Sequence, residues 1–224
     1  VGIQPGDRIL VSNDSLISGV KRPNSSVMKL LRGPKGTVAN LKVLRGKETI
    51  DFRVVRDDIP IYSIDASYMV DPEIGYIRLS RFAEDTPKEM YDAIEKLNKQ
   101  GMKKLIIDLQ DNSGGYLQSA TTLAEMLLPF DAPIVSTGSD RLGRSTYSAA
   151  APSTLFDGPV QILVNQFSAS ASEILSGAVQ DNDRGIIVGR RTFGKGLVQR
   201  PFPFPDGSMV RLTVARYYTP SGRC

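Results

Sequence analysis

The stretch VQILVNQFSASASEILSGAVQDNDRGIIVG, residues 160 to 189, reads as strand, helix and strand in direct succession. Its first part, VQILVN (160–165), is a short, mostly apolar run of strand length. SEILSGAVQDN then spaces its apolar residues as one helical face does, and GIIVG is a second short apolar run. The same alternation continues upstream. IGYIRL (74–79) predicts a strand, and TPKEMYDAIEKLNKQG a helix with Thr86 as cap, Pro87 at its first position and Gly101 past its end. KLIIDL (104–109) predicts a buried strand, GYLQSATTLAEMLLP a helix, and APIVSTG a strand. Downstream, LVQRPFPFPDGSMVRLTVARYYT predicts a hairpin turning at Asp206-Gly207. Strands alternating with helices imply a layered α/β domain with buried strands.

Residues 1 to 57 have a different texture. DRILVSND reads as a strand running into a turn, and SSVMKLLRG places Val27, Leu30 and Leu31 at helical spacing with Gly33 as the stop. TVANLKVLRG and ETIDFRVVR alternate around Gly46-Lys47, a hairpin signal. DDIPIYS reads as a linker, because Pro60 cannot continue a paired central strand. The expected organisation is a β-rich unit over 1–57, a linker over 58–72 and an α/β core over 73–224.

The 224 residues, 41% hydrophobic and 23% charged, suit an ordinary globular chain of one or two domains. A chain of this length buries roughly 70% of its unfolded surface and needs no disulfide or metal staple. The net charge of +4 is spread along the chain, which argues against a nucleic-acid groove. Cys224 is the only cysteine, so no internal disulfide can form. No apolar run approaches the roughly 18 residues of a membrane span. Beginning at VGIQPGD and stopping at PSGRC, the chain reads as an excised piece.

Chemistry is suggested by three segments. In NQFSASASEI (165–174), Ser168, Ser170 and Ser172 lie where a strand gives way to a helix. Such a turn exposes a nucleophilic oxygen beside the first helical N–H groups. The plainer reading is a capping box, Ser170-x-x-Glu173. The chain contains no histidine, so a serine nucleophile needs another base, and lysine can serve when it is uncharged. An exposed lysine, with a pKa near 10.4, is neutral in only about one molecule in 2,500 at pH 7. Bringing that value near 7 means disfavouring the charged form by roughly 4 kcal/mol, within reach of burial. The base is therefore expected in a dry, tight place. Lys195, between two glycines in TFGKGLVQ, fits, and Gln199 on the same face of an extended strand could hold its amine. The plainer reading is a turn lysine reaching solvent. In DLQDNSGGYL (108–117), Gly114-Gly115 could present N–H groups to an oxyanion, or simply permit a turn.

Gly189 to Gly196, GRRTFGKG, nearly matches the phosphate-binding loop pattern, but Gly196 replaces the hydroxyl that should hold magnesium. Pro201, Pro203 and Pro205 also forbid the helix that must follow. No nucleotide is expected. Asp181 and Asp183 read as a helix end and turn, and no His/Cys cluster exists for zinc. Neither metal nor cofactor is expected.

Taken together, DLQDNSGGYL, NQFSASASEILSGAVQD, VGRRTFGKGLVQ and the closing RYYTPSGR resemble the carboxyl-terminal processing (tail-specific) proteases, serine peptidase family S41, from about residue 60 onward. GIQPGDRIL and LLRGPKGT resemble the latter part of the PDZ domain these proteases carry. The resemblance implies a Clp/crotonase-like α/β core, truncated at its C-terminal end, behind a partial PDZ domain. It implies a Ser-Lys dyad of Ser170, the middle serine, and Lys195, supported by Gln199, with a lesser role for Asp181. The oxyanion hole would use backbone N–H groups of Ala171 and of the Gly114-Gly115 turn. Polypeptides cut near their C-termini are the implied substrates, in an extracytoplasmic setting such as the bacterial periplasm or cell envelope, with room for a homo-oligomer of the full-length protein. The alternative is a PDZ-type peptide-binding adaptor with an idle catalytic core.

Overall fold

The computed structural model describes residues 2–59, 61–139, 143–150, 152 and 154–224. The chain divides into two compact units, Val1–Ile61 and Tyr62–Cys224. In the first, β1 (Arg8–Ser12), β2 (Ser15–Leu16), β3 (Val38–Arg45) and β4 (Glu48–Val55) form an antiparallel sheet in the order β2-β1-β3-β4. The expected hairpin turns at Gly46-Lys47, with Gly46 at φ 60. The helix α1 (Asn24–Leu31) follows β2, and Arg56 closes its C-terminal end by donating to the carbonyls of Leu30 and Leu31. Ala39, Leu41 and Val43, alternate residues of β3, form a small core with Ile9, Leu31, Phe52 and Val54.

The second unit contains β5 (Ile64–Met69), β6 (Ile74–Leu79), α2 (Thr86–Lys99), β7 (Lys104–Asp108), α3 (Leu117–Glu125), β8 (Pro133–Ser139), β9 (Gly143–Ser148), β10 (Val160–Val164), α4 (Ala171–Asp181), β11 (Gly185–Gly189), β12 (Leu197–Pro203) and β13 (Met209–Tyr218). One sheet runs β11-β10-β7-β6-β5. Its first four strands are parallel, and β5 closes the edge antiparallel to β6. The second sheet runs β12-β13-β8-β9, all antiparallel.

The main core gathers Ile77 and Leu79 of β6, Leu105 and Ile107 of β7, and Val160, Ile162 and Val164 of β10 with the inner faces of the helices. The buried face of α2 is Met90, Ala93, Ile94 and Leu97, the spacing of one helical stripe. α4 touches β8 and β11, and is buried at Ala171, Ser172 and Ile174 through Val179. A helix covered on most of its faces is fixed by its packing, which suits it to carry a site.

Three expectations need correction. The presumed linker 58–72 contains β5, whose alternating Ile64, Ala66 and Tyr68 are too mixed in polarity to announce a strand, yet pair with β6. Pro60, on which the linker reading leaned, lies outside the described residues. Second, Thr86 is the first residue of α2 and not its cap; Asp85 holds that place. The Thr86 hydroxyl accepts the Ala83 N–H and pairs with the Ser63 hydroxyl, so it ties the helix start to the residue just before β5. Third, β9, a run of Gly143 to Ser148 without an apolar stripe, was not expected as a strand.

Candidate active site

The three serines at the β10–α4 junction are not equivalent. Ser168 is fully buried; its hydroxyl donates to Leu109 O at 2.7 Å and accepts the Asn165 N–H at 2.9 Å. Ser172 is also fully buried, and its hydroxyl donates to Asn112 O at 2.9 Å. The same carbonyl accepts the Ala169 N–H at 3.0 Å. Both flanks of Ser170 are thus tied to Asn112, while Ser170 itself is half-buried and lines a cavity of about 380 Å³. Its backbone stands at φ 57, ψ −111. That is the first central position of a type II′ turn, ordinarily a glycine position. A serine kept there stores strain of about 1–3 kcal/mol, a cost concentrated at functional sites.

The Asn112–Gly115 turn lies directly against this serine. A Cβ added to Gly114 would meet Ala169 O at 2.6 Å and both Ala171 N and Ser170 Cβ at 2.8 Å. A Cβ on Gly115 would overlap Phe82 O, so neither position admits a side chain. Asn112 is fully buried; its Nδ2 donates to Leu79 O at 2.8 Å and its Oδ1 accepts the Gly114 N–H at 2.9 Å. The Gly114 N–H is therefore consumed inside the turn. Among the described residues the N–H groups of Gly115 and Ala171 have no protein acceptor.

Lys195 follows β11 in a loop stitched to the serine turn. Phe193 N–H donates to Ser168 O at 3.0 Å. Glu173, in the first turn of α4, accepts four donors. Its Oε1 takes the Thr192 hydroxyl at 2.8 Å and the Gly194 N–H at 2.6 Å. Its Oε2 takes the Ser170 N–H at 2.7 Å and the Lys195 N–H at 2.9 Å. Because one oxygen lies 2.7 Å from Ser170 N and 2.9 Å from Lys195 N, those nitrogens are at most 2.7 + 2.9 = 5.6 Å apart. Lys195 lines the same cavity as Ser170, together with Ile134, Ile174, Ile187 and Tyr217.

The dry environment expected for Lys195 is not what the structure has. The residue is exposed, and its Nζ makes no hydrogen bond to Ser170 Oγ. The Thr192 hydroxyl and the N–H groups of Phe193, Gly194 and Lys195 anchor the loop, and the Lys195 side chain takes no part in it. No hydrogen bond joins Gln199 to the Lys195 amine, and β12 begins only at Leu197, past Lys195. Asp181 ends α4, about three helical turns from Ser170. It accepts the Ser221 N–H at 3.0 Å and the Ser221 hydroxyl at 2.7 Å, and it pairs with Arg223. Burial alone would push its carboxyl up, but the Thr219 and Ser221 hydrogen bonds and the Arg223 charge outweigh it and hold it below the usual carboxylate range. Asp181 fastens the closing turn 219–223, whose Thr219 and Arg223 also line the cavity.

Sequence reasoning overlooked Asn112 and the reach of Glu173. The first had no signal beyond an Asn before Gly-Gly. The second was visible only as one half of a capping box. Among the described residues no group of three or more His, Cys, Asp or Glu is placed to hold a metal ion, and no helix is long and apolar enough to cross a membrane.

The profile of peptidase family S41 matches residues 73–224. The chain is 39% identical over 227 residues to a carboxyl-terminal-processing protease of Synechocystis sp., covering 98% of this chain and 52% of that protein. It is 35% identical over 223 residues to a probable CtpA-like serine protease of Staphylococcus epidermidis, covering 99% and 44%. It thus spans about half the length of these curated relatives. Among solved structures it is similar to a photosystem II D1 C-terminal processing protease, with TM-score 0.65 and 31% identity over 99% of this chain and 61% of that one. A putative S41 protease from Bacteroides fragilis, 16% identical with TM-score 0.65, shares the fold over 99% of this chain and 63% of its own.

Proposed function

Because the chain belongs to peptidase family S41, we propose that it is the serine endopeptidase part of a carboxyl-terminal processing enzyme, with Ser170 as nucleophile and Lys195 as general base. The observation that carries this reading is the inequality of the serines. Ser168 and Ser172 spend their hydroxyls on Leu109 O and Asn112 O, whereas Ser170 stands strained at the cavity, its backbone within 5.6 Å of that of Lys195. A lysine side chain is long enough to cover that gap, so a rotation of Lys195 inward assembles the dyad without moving the loop.

Uncharged Lys195 Nζ takes the Ser170 Oγ proton as Oγ bonds to the scissile carbonyl carbon. The carbonyl oxygen becomes an oxyanion, received by the two unspent N–H groups, those of Ala171 and Gly115. Collapse breaks the C–N bond, and the Lys195 ammonium gives its proton to the leaving amine. Water, deprotonated by the same lysine, then hydrolyses the acyl-enzyme ester. The Gly114 N–H, already donated to Asn112, supports the hole and does not line it.

The antiparallel sheet and single helix of Val1–Ile61 support the partial PDZ reading, and the parallel β11-β10-β7-β6 sheet with its helices supports a Clp/crotonase-like core. The names of the relatives support polypeptide tails as substrates, and the family resemblance supports an extracytoplasmic setting. In the intact protein, Ser170→Ala and Lys195→Ala should each abolish peptide cleavage with the fold retained, and a free C-terminal peptide should be cut faster than its amide. Normal turnover by either variant removes the dyad. One observation favours the adaptor reading: the exposed Lys195 amine has no bond to Ser170 Oγ. Failure of a fluorophosphonate to label Ser170, beside tight binding of C-terminal peptides, would establish it.

A further inference from the structure

Glu173 has a local role that its sequence explains. Sitting in the first turn of α4, it accepts the Ser170 N–H and complements the positive end of the helix. A cap needs nothing more. Yet the same carboxylate also holds the Thr192 hydroxyl and the N–H groups of Gly194 and Lys195, from a loop 19 to 22 residues away. Four donors nearly exhaust the acceptor capacity of a carboxylate. The division between its oxygens is informative. Oε1 serves only the lysine loop, while Oε2 joins the amide of the serine directly to the amide of the lysine.

We infer that Glu173 is the positioning residue of the dyad: its Oε2 sets the separation of the Ser170 and Lys195 backbones, while its Oε1 steadies the lysine loop beside them. The inference rests on the Ser170–Lys195 reading. Glycines flank Lys195, and the Gly194 backbone is at φ 87, so the loop has little stiffness of its own. Its neighbouring tie, Phe193 N–H to Ser168 O, fixes the loop two residues before the lysine and leaves the lysine free to swing. A glutamine at position 173 has the right shape but one acceptor oxygen. With that oxygen in the Oε2 place, the Ser170 and Lys195 bonds survive and the Thr192 hydroxyl turns to accept, but the Gly194 N–H faces an amide NH2. With Ala all four bonds are gone.

The test is peptide cleavage by the intact protein carrying Thr192→Val, Glu173→Gln or Glu173→Ala, beside Ser170→Ala and Lys195→Ala. It is read with KM, the thermal midpoint and amide hydrogen exchange over residues 190–197. Expected is a graded fall in kcat, smallest for Thr192→Val, about 10-fold for Glu173→Gln and about 100-fold for Glu173→Ala, with KM changed less than about threefold, since an ångström of misplacement costs on that order. Exchange at Gly194 should quicken in Glu173→Gln even where the melting temperature is unchanged, which a merely structural cap would not cause. Wild-type kcat and unchanged Gly194 exchange in Glu173→Gln, with Ser170→Ala and Lys195→Ala inactive, would overturn the positioning role and leave the dyad standing. Activity in Ser170→Ala or Lys195→Ala would instead remove the dyad, and this inference with it.

Discussion

Replacing Ser170 with glycine should stabilise the protein relative to replacing it with alanine, although on the proposed mechanism neither variant forms an acyl-enzyme. The reason is the backbone at φ 57, ψ −111, which any residue with a Cβ holds only under strain. Alanine keeps the Cβ and the strain; glycine loses both. Strain relief of about 2 kcal/mol is expected. Against it stands about 0.75 kcal/mol for the freer unfolded chain of a glycine. The half-buried methyl that alanine retains counts for about 0.4 kcal/mol more, half of a fully buried CH2. About 1 kcal/mol remains in favour of glycine, or about 2–4 °C in the melting temperature of a unit of this size. Urea unfolding and thermal scans of the two variants, run in parallel in one buffer, make the comparison directly. A glycine variant equal to or weaker than the alanine variant by both measures would show that the turn is not strained, and the argument that the fold sustains a cost to present Ser170 would fail with it.

Gly114→Ala and Gly207→Ala form a matched pair, since both glycines have positive φ (96 and 83) but a Cβ meets Ser170 Cβ, Ala169 O and Ala171 N only at Gly114. Both should lose about 1–2 kcal/mol to backbone strain, and Gly114→Ala about 1–3 kcal/mol more from overpacking, with kcat falling about 100-fold; equal kcat in the two would refute the contact. Asp181→Asn tests the closing turn. Because this carboxyl is depressed in the folded protein, its contribution is fully present above the unfolded-state value near pH 4 and is lost as pH falls through the folded-state value. The variant should therefore be weaker at pH 7 and show a shallower loss of stability below about pH 4, read from urea midpoints; an unchanged acid limb would deny Asp181 that role.

Much of the framework could be read from local pattern. IGYIRL, KLIIDL and GIIVG became β6, β7 and β11 within a residue of their expected ends, because hydrophobic period is a property of consecutive residues. The hairpin at Asp206-Gly207 was equally plain, since its turn needs the positive φ that Gly207 supplies. β5 and β9 were not legible. Each lies at an edge of its sheet with one neighbour, and neither buries a clean alternating face that would mark its sequence.

At the site the division has the same cause. The sequence alone determined that a serine-bearing turn opens α4, that no histidine is present to serve it, and that Lys195 sits in a glycine loop after β11. Local pattern could not tell the three serines apart, and only the family resemblance pointed to Ser170. The physical distinction depended on acceptors at Leu109 and Asn112, 59 and 60 residues away, which take the hydroxyls of Ser168 and Ser172 and leave Ser170. Local pattern also mistook how the lysine is held. Spacing suggested a dry pocket with Gln199 for company, whereas the packed chain holds Lys195 by its backbone through Glu173 and leaves its side chain in water. Period and turn chemistry are written in neighbouring residues, but which polar group meets which acceptor is decided only when distant segments are brought into contact.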